Sequence, residues 1–225
     1  MQYLKALTPF QDEKYRIFHQ NLLTEGLPVL GVRTPDVRAV AKREEFSTLF
    51  ENIERDEYHE QRMVRLFLLA HSKMDEQRRI ELINKILPFV NAWALTDSFV
   101  CALKSAKKEK DLYMSFIKEQ SKSTYSYQVL FALVMINFHF HDELFLELSE
   151  SIIENIHSEE KEIVMAKAWA IVTLLSHHPH QVLAWYKRAP IEKIVHTWVM
   201  QKARDSRLVD KNSVEEIGMK KAFIS

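Results

Sequence analysis

The sequence predicts an all-α protein, an α-α superhelix of stacked helix pairs with no sheet of consequence. Three observations carry this: turn residues are scarce, helix formers are abundant, and a helical period recurs along the whole chain. The 225 residues include only 3 glycines (Gly26, Gly31, Gly218) and 6 prolines. A sheet protein of this length needs a tight turn roughly every ten residues, usually served by Gly, Asn-Gly or Pro. Leu, Glu, Lys, Ala, Met and Gln, all good helix formers, dominate instead. Hydrophobic residues make up 47% and charged residues 28%, the balance of a globular chain and not a disordered one.

The elements follow in order. Tyr15, Phe18, His19, Leu22 and Leu23 obey the i, i+3, i+4, i+7 rule for one apolar helix face. Thr34-Pro35-Asp36 opens the next helix, with proline early and an acid beside it. Met63, Leu66, Phe67 and Ala70 repeat the stripe, then Ile80, Ile83 and Leu87, with Pro88 ending that run. Leu112 and Phe116 continue the period. Segments 129–140 and 164–175 are apolar nearly all round, which places them in the middle of a stack. His177-His178-Pro179 breaks one helix, and Ala189-Pro190-Ile191-Glu192 opens another. A pair of such helices takes roughly 35 to 45 residues, the period of HEAT-like and armadillo-like units. With no linker or low-complexity tract, residues 1–225 read as a single HEAT-like repeat domain.

Composition narrows the function classes. The longest apolar run, 129–136, falls short of the roughly 20 residues that a membrane span requires. Lys5, Asp12 and Glu13 sit where a signal peptide keeps its apolar core, so a cytoplasmic protein with no membrane partner is expected. The lone Cys101 rules out an intrachain disulfide and reads as a small buried hydrophobe. Lys plus Arg and Asp plus Glu both total 31, yet the charges are uneven. Segment 142–162 carries eight acids against Lys161 alone, whereas bases gather at Arg33, Arg38, Lys42 and Arg43, at Lys104, Lys107, Lys108 and Lys110, and at Lys202, Arg204, Arg207 and Lys211. Such a chain can present one positive face despite its neutrality; solvated helix surfaces are the plainer reading of each cluster.

Candidate chemistry concentrates in Asn91-Ala92-Trp93-Ala94-Leu95-Thr96-Asp97-Ser98. Trp93 and Asp97 are four apart and share a helix face. An aromatic face beside a carboxylate cradles a cation. The alternative is a packed tryptophan and a locally capping or ion-paired aspartate. His139 and His141, two apart, diverge on a helix, and His177, His178 and His180 flank a proline, so neither set suits a metal. No Gly-rich phosphate loop, nucleophile elbow or Cys-x-x-Cys occurs, which leaves ordinary kinase, hydrolase and dehydrogenase readings without support.

Four stretches, in order, resemble the AlkD-like DNA alkylation repair proteins with HEAT-like repeats. Gly31-Val32-Arg33-Thr34-Pro35-Asp36-Val37-Arg38 looks like that family's N-terminal signature. The Asn91–Trp93–Asp97 segment looks like its Asn-Trp-x-x-x-Asp-Ser run, with one residue inserted. Ala166-Lys167-Ala168-Trp169 is similar to a later Ala-Trp helix, and Gln201-Lys202-Ala203-Arg204-Asp205-Ser206-Arg207 to a C-terminal run. The resemblance implies a monomer holding double-stranded DNA, damaged or branched, on a concave face. It implies metal-independent, cofactor-free excision of purines made cationic by alkylation at N3 or N7. Asp97 would be the catalytic carboxylate and Trp93 the cradle for the base. Arg33, Arg38, Lys104, Lys107, Lys108, Lys202, Arg204 and Arg207 would contact DNA. The family's arginine, however, falls on Leu130, which can neither bind a phosphate nor assist the leaving base. Lys161 and Glu162 stand where aromatic residues are common. A family member that binds DNA without excision, and a protein-binding scaffold, therefore remain the alternative readings.

Overall fold

The computed structural model describes residues 2–23, 26–43, 53–220 and 223. Among them the chain is all-α, as the scarcity of turns predicts: thirteen α-helices, short 3-10 turns and no strand. It divides into two compact units, Met1–Glu109 and Lys110–Ser225.

The first unit contains α1 (Gln2–Leu7), α2 (Glu13–Leu22), α3 (Thr34–Ala41), α4 (His59–His71), α5 (Glu76–Ile86) and α6 (Trp93–Ala102). Helix α4 is its hub, packed against α1, α3, α5 and α6. Its apolar stripe (Met63, Val64, Leu66, Phe67 and Leu69) is buried, the condition under which an amphipathic helix of this length is stable. Gln61 turns back to accept the backbone N–H groups of Glu57 and Tyr58 at 3.0 and 2.9 Å, closing the start of α4. Arg79 of α5 closes its end, donating to the carbonyls of Leu69 and Ser72 while paired with Glu76. Asp12 and Asp75 cap α2 and α5 by accepting the N–H groups of Tyr15 and Arg78.

Helix α2 departs from the sequence expectation. Most of its apolar stripe does not enter the core: Phe18 and Leu22 are 59% and 62% exposed, Tyr15 is half-buried, and Leu23 lies beyond the helix end. Only His19 turns inward, meeting His59 edge-on with ring centroids 5.0 Å apart. The period of α2 was legible; which of its faces meets α4 was set by tertiary packing.

The second unit comprises α7 (Lys110–Gln120), α8 (Ser126–His139), α9 (Leu146–Glu154), α10 (Lys161–His177), α11 (Pro179–Arg188), α12 (Lys193–Asp205) and α13 (Lys211–Gly218). Helix α10 packs between α8 and α12 and also touches α9 and α11. This is why α8 and α10 are apolar nearly all round: each has neighbours on more than one side. Ala166, Ala168 and Ala170 are buried on α10, and such small side chains leave room for close helix approach. Lys167, 1% exposed in the same helix, donates to the Ile156 carbonyl (2.6 Å) and to Glu192 Oε2 (2.8 Å). Pro190 opens no helix: α12 begins at Lys193, after Glu192 has turned its carboxylate to Lys167 and to His157. The lone Cys101 is half-buried with a free thiol, less enclosed than its sequence reading implied.

Candidate functional site

Both sequence motifs of the first unit are anchored on α4. Fully buried Glu60 accepts three successive backbone N–H groups: Leu30 at 2.8 Å, Gly31 at 2.9 Å and Val32 at 3.1 Å. Three charge-assisted hydrogen bonds fix this loop and satisfy the buried carboxylate at once. Gly31 is required within it: φ is +87°, and a Cβ there would come 2.5 Å from the Asp12 carbonyl oxygen. The loop carries Arg33 to the surface, where its Nη2 meets Asp12 Oδ2 at 3.2 Å and its guanidinium lies 4.5 Å from the Tyr15 ring centroid. Arg38 lies over the Phe67 ring at 4.9 Å, with its Nε buried and unpartnered. Both arginines are thus partly engaged in packing their own unit.

Two residues along α4, buried Arg62 donates through Nη1 to the Phe89 carbonyl (2.7 Å) and to Asn91 Oδ1 (3.0 Å). This pair ties the loop before α6 to α4 and accounts for the asparagine ahead of the tryptophan. Helix α6 then starts at Trp93, so Trp93 and Asp97 lie one turn apart on one face, both half-buried. Asp97 sits in the middle of the helix and caps nothing; the N-cap is Ala92. Its Oδ1 is buried with no hydrogen-bond partner, and desolvation pushes its carboxyl up to about 6. A carboxylate with one oxygen buried and unpartnered is costly to the fold, which makes Asp97 a functional-site candidate. It is mostly ionised at neutral pH, strong in field where water is scarce, and basic enough to accept a proton.

Lys104 and Lys107 are exposed on the 3-10 segment Lys104–Lys107 that follows α6, and Lys108 is exposed just after it. In the second unit, two of the motifs meet. Trp169 of α10 and Lys202 of α12 line one cleft of about 350 Å³, together with Asp205, Ser206 and Leu208. Burial lowers the Lys202 pKa, and Asp205 partly opposes that. Arg204 and Arg207 are exposed. Leu130 is fully buried in α8, with no surface to present to a ligand. Among the described residues, no three His, Cys, Asp or Glu side chains form a metal cluster, and no helix is long and apolar enough to cross a membrane. Sequence reasoning missed Glu60 and Arg62; charged residues inside the apolar stripe of α4 were the available signal.

Packed helices, one of which holds Asp97 a turn from the half-buried Trp93, define an all-α protein. Residues 3–216 match the family model described as DNA alkylation repair enzyme, and the chain belongs to that family. No curated protein matches the chain.

Proposed function

We propose that this DNA alkylation repair family member acts on double-stranded DNA, excising purines made cationic by N3 or N7 alkylation through hydrolysis of the N-glycosidic bond. The observation that carries the reading is the buried, unpartnered Oδ1 of Asp97 one helical turn from Trp93. Alkylation makes the base a good leaving group. The C1′–N bond breaks, its electron pair returns to the base, and the base departs neutral. Positive charge passes to the sugar until water adds at C1′ and loses a proton. Ionised Asp97 stabilises that developing charge and accepts the proton, while the Trp93 face receives the cationic base. Lys104, Lys107 and Lys108 follow α6 directly and suit phosphate contacts beside that site; Arg33, Arg38, Lys202, Arg204 and Arg207 are the remaining candidates.

The test is release of free base from duplex DNA containing N7-methylguanine or N3-methyladenine. The wild-type protein is expected to release base faster than buffer, with activity rising as pH passes about 6, and Asp97→Asn to fall to the buffer rate. Release by the wild type no faster than buffer overturns the enzymatic reading. The full burial of Leu130 favours a second reading, a member that binds damaged or branched DNA without excision. Salt-sensitive gel shifts with such DNA, without base release, are its signature.

A further inference from the structure

Helices α9 and α11 both pack on α10 and are joined directly where Trp185 Nε1 donates to Glu154 Oε1 at 2.6 Å. Beside this bridge a groove of about 830 Å³ opens between them. Its α9 wall carries Glu147, Glu150 and Glu154, with Glu143 just ahead, against a single cation, Arg188 of α11. Glu150 is only 8% exposed, and its Oε1 is buried with no hydrogen-bond partner. Apolar surface accompanies the acids: Leu144 is 82% and Leu148 43% exposed on the same wall.

We propose that the α9–α11 groove docks a basic amphipathic helix of a partner protein, with one lysine or arginine of that helix reaching Glu150. Charge complementarity selects the occupant: a row of carboxylates repels DNA and seeks cations. The carboxylates are strung along a helix and form no metal cluster among the described residues, which disfavours a metal ion. Leu144 and Leu148, four residues apart, match the apolar stripe of a helix laid in a groove and not a small polyamine. The groove shares no residue with the Trp93–Asp97 site, so this inference stands whether or not base excision occurs.

The probe is a fluorescein-labelled Leu/Lys helical peptide of about four turns, with its Leu/Glu counterpart and spermine as controls, read by anisotropy on the full chain. The Leu/Lys peptide is expected to bind and the Leu/Glu peptide not. Glu150→Gln is expected to weaken binding tenfold or more, whereas Glu119→Gln, an exposed acid of α7 outside the groove, leaves it unchanged. Leu144→Ser, at an exposed position that the fold does not rely on, is expected to weaken the peptide several-fold. Burial pushes the Glu150 carboxyl up to about 7, opposed by Arg188 and aided by Glu154 and Glu147. Wild-type affinity therefore rises between about pH 6 and 8, and that rise disappears in Glu150→Gln. Equal weakening by Glu119→Gln shows unspecific charge attraction and overturns the proposal. So does failure of the peptide to bind, or displacement by spermine together with indifference to Leu144→Ser. Melting curves of each variant separate lost docking from lost folding.

Discussion

Replacing Asp97 with Asn isolates the cost of holding an unpaired charge in α6. The carboxyl stands near 6 in the folded protein against an ordinary 3.8. Between those values the native state binds more protons than the unfolded chain, so stability falls as pH rises through the window. That displacement corresponds to about 3 kcal/mol, at about 1.36 kcal/mol for each pH unit. Because the group is half-buried and solvent screens it, about 1–2 kcal/mol is the usable figure. Asn keeps the shape and removes the charge. Asp97→Asn is therefore expected to gain about 1–2 kcal/mol over wild type at about pH 8, relative to their difference near pH 4, a Tm gain of about 2 to 8 °C for a chain of this size. Thermal melts of both proteins at the two pH values measure it. A variant equally or more destabilised at the higher pH than at the lower would show that Asp97 has a partner in the fold and would refute the reasoning. Paired with loss of base release, the stability gain marks a residue kept for function against the interest of the fold.

Other perturbations test the frame around the site. Gly31→Ala puts a Cβ against Asp12 and Arg16 at positive φ and is expected to cost about 2 kcal/mol or more in denaturant unfolding; an unchanged midpoint would contradict the loop geometry. Leu130→Arg buries an uncompensated charge in α8 and is expected to cost about 3–5 kcal/mol, while Leu130→Met costs under about 1.5 kcal/mol; a stable Arg variant that gains excision would overturn the buried assignment. Lys167→Met leaves the Glu192 carboxylate with His157 alone and is expected to cost about 3–5 kcal/mol, much of it recovered by adding Glu192→Gln. If Lys104, Lys107 and Lys108 each contact a phosphate, changing all three to Gln lowers the salt slope of DNA binding by about 2.7, or about 0.9 per contact; an unaltered slope removes them from the interface.

Much of the local plan was legible. Helix formers in place of turn residues announced an all-α chain, Pro35 marked a helix start that the structure retains at α3, and the break read at His177-His178-Pro179 falls between α10 and α11. The all-round apolar character of segments 129–140 and 164–175 foretold the central places of α8 and α10. The shared face of Trp93 and Asp97 followed from spacing alone, since residues four apart on a helix are neighbours. Their environment did not, because spacing carries no information on burial or on partners.

What the sequence by itself determined is the helical character, a few helix limits and the pairing of an indole with a carboxylate on α6, all set by local periodicity and backbone preference. Tertiary structure alone decided which faces meet. It turned most of the apolar stripe of α2 outward, placed Glu60 under the Gly31 loop and Arg62 under Asn91, and brought Trp169 to Lys202. It also left one oxygen of Asp97 without a partner. Those outcomes depend on contacts between residues distant in the chain, where the desolvation of a charge is settled by what packs over it and not by its neighbours in sequence.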